Sequence, residues 1–334
     1  MFSVTNDRGF VPQSEQFEGR DMVGEDIKAY KIIHTNDFAY NPARINVGSI
    51  AMYTGEKPCM ISSLYVCFKT TKEVNNEWLM QLLKTPKMNY YYNVNGEGGV
   101  RVYLFYPNFA RIRMSIPKIE EQKKIAKLLN LIDERIATQN KIIEDLKKLK
   151  SAISKKLLCN DKWTTYKIQD IAEIGRGRVI SSVEIDRQKH PLYPVYSSQT
   201  SNDGIMGYLD NYMFDGEYIT WTTDGANAGT VFYRKGKFNC TNVCGTLKIL
   251  PKFDCYFVSL VLQQATQKYV SSNLANPKLM NNTMASIKIR MPNIETQKQL
   301  SKVFKTLDSC LLVHQRICKM YLSEKQYLLR QMFI

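Results

Sequence analysis

The stretch Ile116-Pro117-Lys118-Ile119-Glu120-Glu121-Gln122-Lys123 recurs as Met291-Pro292-Asn293-Ile294-Glu295-Thr296-Gln297-Lys298. The shift from Pro117 to Pro292 is 175 residues. Held at that shift, Lys127 falls on Lys302, Asp133 on Asp308, Ile142 on Ile317 and Lys150 on Lys325, with no gap down to Leu158 and Phe333. A proline just before a helix start is harmless, because its missing N–H would have no intrahelical partner there. Glu120 and Glu295 fall in the first turn, where the helix dipole favours a negative charge. No further Pro or Gly interrupts either run. Each copy therefore predicts one helix of roughly 39 residues, about 58 Å long at 1.5 Å per residue.

The apolar positions of the first copy are Ile125, Leu129, Ile132, Ile136, Ile143, Leu146, Ile153 and Leu157. Those of the second are Leu300, Phe304, Leu307, Leu311, Cys318, Tyr321, Leu328 and Met332. Steps that alternate between four and three residues describe a coiled-coil seam. Polar residues interrupt it at matching places, Gln139 with His314 and Lys150 with Lys325. Neither helix is stable alone with a one-sided stripe, so the two are expected to pack on each other. An antiparallel pair is expected, because a globular segment must leave the end of the first helix and return to the start of the second. The competing arrangement has each helix packed only on its own domain, which leaves the shared heptad phase unexplained.

The segments before the helices are rich in Tyr, Phe, Val, Thr, Asn and Gly and predict short strands and turns. Residues 37–50 and 217–231 share an outline of strand, loop, strand, in which Asn46-Val47-Gly48-Ser49 matches Asn227-Ala228-Gly229-Thr230. Trp78–Leu83 and Tyr256–Leu262 both predict short buried helices. The second head opens with Trp163-Thr164-Thr165-Tyr166-Lys167-Ile168-Gln169-Asp170-Ile171-Ala172-Glu173-Ile174-Gly175-Arg176-Gly177, which has no counterpart in the first, where Phe2-Ser3 aligns near Tyr196-Ser197. The expected fold is α+β. Its divisions are a first head at 1–116, a helix at 117–158, a second head at 160–291 and a second helix at 292–334, with pseudo-two-fold symmetry about the helix pair.

The formal net charge of +15 implies attraction to a polyanion, because Lys and Arg release counterions from a phosphate backbone. The eight cysteines form no C-x-x-C pair and His34, His190 and His314 are far apart, so no zinc site is expected. No stretch approaches the roughly 20 apolar residues of a spanning helix. Nor does the N-terminus carry a signal-peptide pattern, so a cytoplasmic location and no membrane partner are expected.

Pro117-Lys118-Ile119-Glu120-Glu121-Gln122-Lys123-Lys124-Ile125-Ala126, leading into a helix that carries Lys147-Lys148-Leu149-Lys150, resembles the conserved region of Type I restriction-modification specificity (S) subunits. The segments Tyr196-Ser197-Ser198-Gln199-Thr200-Ser201-Asn202-Asp203-Gly204 and Trp163–Gly177 are similar to that family too. The resemblance covers nearly the whole chain, and the duplicated helix motif is its specific part. It implies two target-recognition domains, each reading one half of a split double-stranded DNA sequence. It implies helices that separate the halves and dock two methyltransferase (M) subunits, joined by restriction (R) subunits. S-adenosylmethionine, ATP and Mg²⁺ would be bound by those partners, and this chain would hold no cofactor. The chain departs from the family in the short first domain, so a chain with only one working recognition domain, truncated or a recombination module, is an alternative.

Base readout needs Arg for guanine and Asn or Gln for adenine; phosphates take Lys, Arg, Ser, Thr or backbone N–H groups. Candidates in the first head are Asn6, Arg8, Asn41, Arg44, Asn46 and Arg101. Those in the second are Arg176, Arg178, Ser198, Gln199, Thr200, Asn202, Thr223, Asn227, Asn276, Lys278 and Asn281. Any single Asn competes with a plain turn role, and Trp221 and Tyr196 are weighed as core residues before stacking ones. Arg101 and Lys278 are placed at equivalent positions before the helices. Asn41-Pro42-Ala43-Arg44 only echoes the Asn-Pro-Pro-aromatic motif of adenine methyltransferases, and no phosphate-binding glycine loop is present. No catalytic residue is assigned; a stand-alone nuclease or a coiled-coil adaptor remains the reading from another class. Asp133 and Asp308 are expected to make surface or partner contacts.

Overall fold

The computed structural model describes residues 1–16, 30–98, 102–158, 160–271 and 276–333. The chain divides into two units, residues 1–141 with 315–334, and residues 142–314.

Unit 1 opens on the antiparallel hairpin β1 (Phe2–Thr5) and β2 (Gly9–Pro12), followed by the single turn α1 (Gln13–Gln16). Then come β3 (Lys31–Ile33), β4 (Phe38–Tyr40), β5 (Ile50–Met52), β6 (Cys59–Ile61) and β7 (Val66–Phe68). One sheet runs β2-β1-β6-β3, with β1 parallel to β6; the other runs β5-β4-β7. Helices α2 (Asn76–Leu83), α3 (Pro86–Asn95) and α4 (Tyr106–Phe109) lead to the long α5 (Ile119–Leu157). The starts of α2 and α3 are written locally. Asn75 accepts from the Trp78 N–H at 2.8 Å, and Thr85 accepts from the Met88 N–H at 3.2 Å with Pro86 next to it. Between β4 and β5 the chain reverses through Gly48 at φ +93°, where a Cβ would collide with the Asn6 side chain. Phe38, Tyr40, Ile45 and Ile50 bury against Trp78, Leu82 and Leu83 of the short helix, Ile125 and Leu129 of α5, and Phe333. A second core of Val4, Ile33, Ile61, Ala39 and Ala51 lies between the sheets.

Unit 2 contains β8 (Thr164–Lys167), β9 (Ala172–Arg176), α6 (Ser182–Asp186), β10 (Tyr193–Tyr196), β11 (Ile205–Leu209), β12 (Glu217–Thr222), β13 (Val231–Lys235), β14 (Asn239–Cys240) and β15 (Cys244–Ile249). It closes with α7 (Cys255–Ala265), α8 (Asn281–Ser286), β16 (Lys288–Met291) and the start of α9 (Ile294–Met332). The sheets run β13-β12-β15-β9, β11-β10-β14 and β16-β8. Strands β1, β2, β4, β5, β6 and β7 correspond to β10, β11, β12, β13, β14 and β15, whereas β3 has no counterpart among the described residues of unit 2. Trp221 faces Val231 across β12 and β13 as Tyr40 faces Ile50 across β4 and β5. The parallel pair β10–β14 repeats β1–β6. Among the described residues unit 1 has no counterpart of β8 or β9, the stretch that had no match in sequence.

Each unit holds an antiparallel pair of helix halves. In unit 1, Asn140 of α5 accepts from the Cys318 thiol of α9 at 3.4 Å, and Asp133 accepts from Lys325 at 2.6 Å. In unit 2, Lys150 of α5 donates to Asp308 of α9. Residue numbers rise along one helix as they fall along the other, as an antiparallel seam requires. Ile125, Leu129, Ile132 and Phe304 are buried, and Ile136, Leu300, Leu307 and Leu311 are half-buried. Two expectations are corrected. Asp133 and Asp308 do not wait for an outside partner; each binds the seam lysine of the opposite helix. Leu157 is exposed, and the buried position is the next residue, Leu158, as it is Phe333 in the second copy.

The repeated glutamine fixes each helix start to its head. Gln122, fully buried, donates to the carbonyls of Pro117 at 2.8 Å and Glu73 at 2.9 Å and accepts from the Asn75 N–H at 2.8 Å. Gln297 does the same with Pro292 at 2.9 Å and the Asp254 N–H at 3.0 Å. Asn75 and Asp254 are themselves the N-caps of α2 and α7. One side chain thus locks a long helix to the start of a short one, and a buried amide with all these partners is cheap to keep.

Candidate nucleic-acid interface

In unit 2, residues from three elements meet at one end of the larger sheet. Arg176, at the end of β9, donates to Thr223 Oγ1 at 3.0 Å and touches Met280 Sδ at 3.9 Å. Asn281, at the start of α8, donates to the Gly175 carbonyl at 3.4 Å. Lys278 is exposed, and its backbone bridges to Asp224. The turn continues through Gly225, at φ +89°, to the exposed Asn227. Asp224 Oδ1 and Asn281 Oδ1 are buried acceptors without a donor among the described residues. Arg176, Thr223, Lys278 and Asn281 are therefore brought together. Thr223 itself is fully buried and donates to the Val243 carbonyl at 3.0 Å, so its expected direct contact with DNA is corrected to support of Arg176.

A second group follows β10. Ser198, Gln199, Thr200 and Asn202 lie in a loop that turns through left-handed residues Asn202, Asp203 and Gly204 at φ +50°, +52° and +81°. The first two carry a Cβ, so this conformation needs outside support. Arg234 of β13 gives it. Its guanidinium lies 3.5 Å from the Tyr196 ring centroid and 4.3 Å from that of Phe232. It donates to the Asp203 carbonyl at 2.7 Å and to Thr220 Oγ1 at 3.2 Å. Burial lowers the Arg234 pKa from the ordinary arginine value, against the opposing pull of Tyr196, and the group stays charged. Gln199 donates its amide inward to the Ile205 carbonyl at 2.5 Å, whereas Thr200 and Asn202 are exposed. Arg178 leaves both groups for an ion pair with Glu184, whose hydrogen bonds raise the arginine pKa and lower that of the carboxyl.

In unit 1, Asn6 and Asn46 border one groove with Lys84 and Asn89. Lys84 donates to the Asn6 carbonyl at 2.9 Å, and Asn46 donates to Asn93 Oδ1 at 3.1 Å. Arg44 is exposed and sits at the start of the Ile45–Val47 turn, with its side chain making no hydrogen bond among the described residues. Arg8 lies 3.9 Å from Glu15 on the surface. Asn41 accepts from the Ala43 N–H at 3.0 Å, a turn role. Arg101 lies outside the described residues. By backbone contacts the residue equivalent to Lys278 is Tyr103, because Leu104 donates to the Pro42 carbonyl as Leu279 donates to that of Thr223, both at 3.0 Å or just under. Trp221 is core, its indole N–H held by the Leu279 carbonyl at 2.8 Å.

The sequence reading missed Arg234, since a basic residue in a short exposed-looking strand carries no periodic signal. It missed Gln122 and Gln297 too, although their repetition inside the quoted motif was visible.

The family model of the Type I restriction modification DNA specificity domain matches residues 25–148 and 160–319. The chain belongs to this family. A Mycoplasma pneumoniae protein described as a type I specificity subunit is 39% identical over 197 residues, 58% of this chain and 82% of that one. The specificity subunit of the type I restriction enzyme MpnII, from the same organism, is 43% identical over 145 residues, 43% of either chain. The crystal structure of a type I S subunit from M. genitalium superposes with a TM-score of 0.70 at 16% identity, covering 90% of this chain and 84% of that one. A structure from work on type I system assembly and conformational transition gives 0.56 at 12% identity, covering 91% and 83%. The family places two specificity domains where the sequence repeat places two heads.

Proposed function

We propose that this chain reads a split duplex DNA target, one half with each head, as the recognition subunit of a Type I restriction-modification assembly. One observation carries the reading. The frame contacts are the same in both units, Asp133 with Lys325 and Asp308 with Lys150, while the loops at the sheet ends differ in sequence. A kept frame under divergent loops is what two unlike half-sites require. The exposed Arg176, Arg44 and Lys278 suit guanine edges or phosphates. The net charge of +15 supplies the sequence-independent attraction.

The chain performs no bond chemistry in this reading. Two methyltransferase subunits dock on the helices, restriction subunits join them, and these partners bind S-adenosylmethionine, ATP and Mg²⁺. The assembly works in the cytoplasm. No helix among the described residues is long and apolar enough to cross a membrane. A second reading, with unit 2 alone recognising DNA, is favoured by the lack of counterparts to β8 and β9 among the described residues of unit 1.

Methylation sequencing of DNA from cells that co-express the chain with its methyltransferase partner tests both. A split adenine-methylation motif with unlike halves is expected. A palindromic motif would select the second reading, and no motif from a soluble, partner-bound chain would overturn both.

A further inference from the structure

The arginines of unit 2 are used in different ways. Arg178 and Arg290 give their guanidinium groups to the carboxylates of Glu184 and Asp161, and Arg234 is buried beneath the loop after β10. Arg176 is exposed, and a neutral hydroxyl holds it: its Nη2 donates to Thr223 Oγ1 at 3.0 Å. Thr223 is 0% exposed, and its own proton turns to the Val243 carbonyl at 3.0 Å or the Asp224 carboxylate at 3.2 Å. Its oxygen is thus left to accept from Arg176. The other contact of Nη2 is Met280 Sδ at 3.9 Å, a weak thioether acceptor.

The backbone beneath this side chain is fixed as well. Arg176 is the last residue of β9 and pairs with Gly245 of β15, which pairs in turn with Trp221 of β12. A Cβ on Gly245 would collide with the Trp221 ring, so the strands lie this way only with glycine there. Gly177 comes next, where a Cβ would collide with the Cys240 carbonyl, and its N–H donates to the Cys244 carbonyl at 3.2 Å. Whichever Nη2 hydrogen Thr223 takes, one two-donor edge of the guanidinium stays available once the thioether yields. Such an edge matches guanine O6 and N7. A phosphate needs only a nearby positive charge, which a mobile side chain supplies, whereas a fork already held in place gives up little freedom on binding.

We infer that Arg176 reads one guanine through the major groove, and that Thr223 is the positioning residue that sets the angle of its guanidinium. The inference rests on the recognition role proposed above and names the base that this end of unit 2 takes. Arg178 and Arg290, each neutralised by a carboxylate, are assigned no base.

The test is competition binding by the chain bound to its methyltransferase partner, on duplexes that carry its methylation motif. Each guanine of the motif is replaced in turn by 7-deazaguanine, which keeps O6 and the base pair but carries C–H where N7 was. One position is expected to lose about tenfold in affinity. In Arg176→Met that penalty should vanish, with the salt dependence of binding near the parent's. In Thr223→Val it should shrink to about threefold, and Thr223→Ser, which keeps the hydroxyl, should restore it. Arg176 is exposed, so its variant should melt like the parent and decides the inference even where Thr223→Val unfolds. A motif without guanine, guanines that all tolerate the change, or a penalty that survives in Arg176→Met would overturn the inference. So would a uniform loss in Arg176→Met with a shallower salt slope, which would put the side chain on phosphate. An undiminished penalty in a folded Thr223→Val would overturn the positioning role. A partner-bound chain with no preference among duplexes would sink the recognition role itself, and this inference with it.

Discussion

Lys325 Nζ lies 2.6 and 2.7 Å from the two carboxylate oxygens of Asp133, and the repeat carries the same pair as Lys150 and Asp308. The head joins in each time: Gln81 of α2 donates to Asp133 at 2.9 Å, and the Tyr256 hydroxyl of α7 donates to Asp308 at 2.5 Å. A lysine in an apolar seam costs stability unless its charge is met, so these pairs fix the register of the helices. Asp133→Asn should lower stability by about 1–2 kcal/mol, the range for a hydrogen bond to a charged group at a half-buried site. A urea-denaturation double-mutant cycle with Lys325→Met reads the coupling directly. Additive single variants would show that the pair does not set the register.

Gln297→Leu keeps the volume but strands the Asp254 N–H and the Pro292 carbonyl. Each such group left buried costs roughly 1–3 kcal/mol. Thermal melting should show a larger loss for Gln297→Leu than for substitution of the exposed Lys298 next to it. Phe304→Ala, at a fully buried position between head and helices of unit 2, should cost about 3–5 kcal/mol.

Arg44→Ala should weaken or relax one half-site only. If the side chain reads a base, the penalty is about 1–3 kcal/mol at that position and small elsewhere. Competition binding with duplexes altered one base pair at a time distinguishes this from a uniform loss, which would place Arg44 on phosphate instead.

Arg234→Met removes the support of the left-handed turn without touching the exposed loop side chains. Base preference of the unit 2 half-site should blur, while the dependence of affinity on salt stays near that of the parent, because no phosphate contact is deleted. A lowered salt slope would move Arg234 into the contact surface.

Burial pushes the Cys244 thiol up to about 11 and Cys255 up to about 12, and raises Cys240 as well, whereas Cys310 is exposed. A raised pKa means less thiolate at any pH below it. At pH 8 iodoacetamide should therefore modify Cys310 and spare these three, and peptide mapping checks the ratio. Rapid labelling of Cys240 would mean that the β10–β14 region opens readily.

The parts readable from sequence are those governed by periodicity. The 175-residue shift, the four-three spacing and the shared Asn-x-Gly loops at Gly48 and Gly229 each leave a pattern along one chain. Leu157 was misplaced because a helix end can hand its last buried contact to the next residue. The site residues were harder, because their roles depend on neighbours distant in sequence. Thr223 looks like a surface hydroxyl until Val243 and Arg176 enclose it, and Arg178 looks free until Glu184 meets it.

The crossed pairs have a consequence for ancestry. Asp133 binds the lysine that matches Lys150, and Lys150 binds the aspartate that matches Asp133. A chain with a single head and a single helix would carry both halves of this lock and fit a second copy of itself. Fusing two such genes would preserve every contact of the seam, and would free each head to drift toward its own vocabulary of bases.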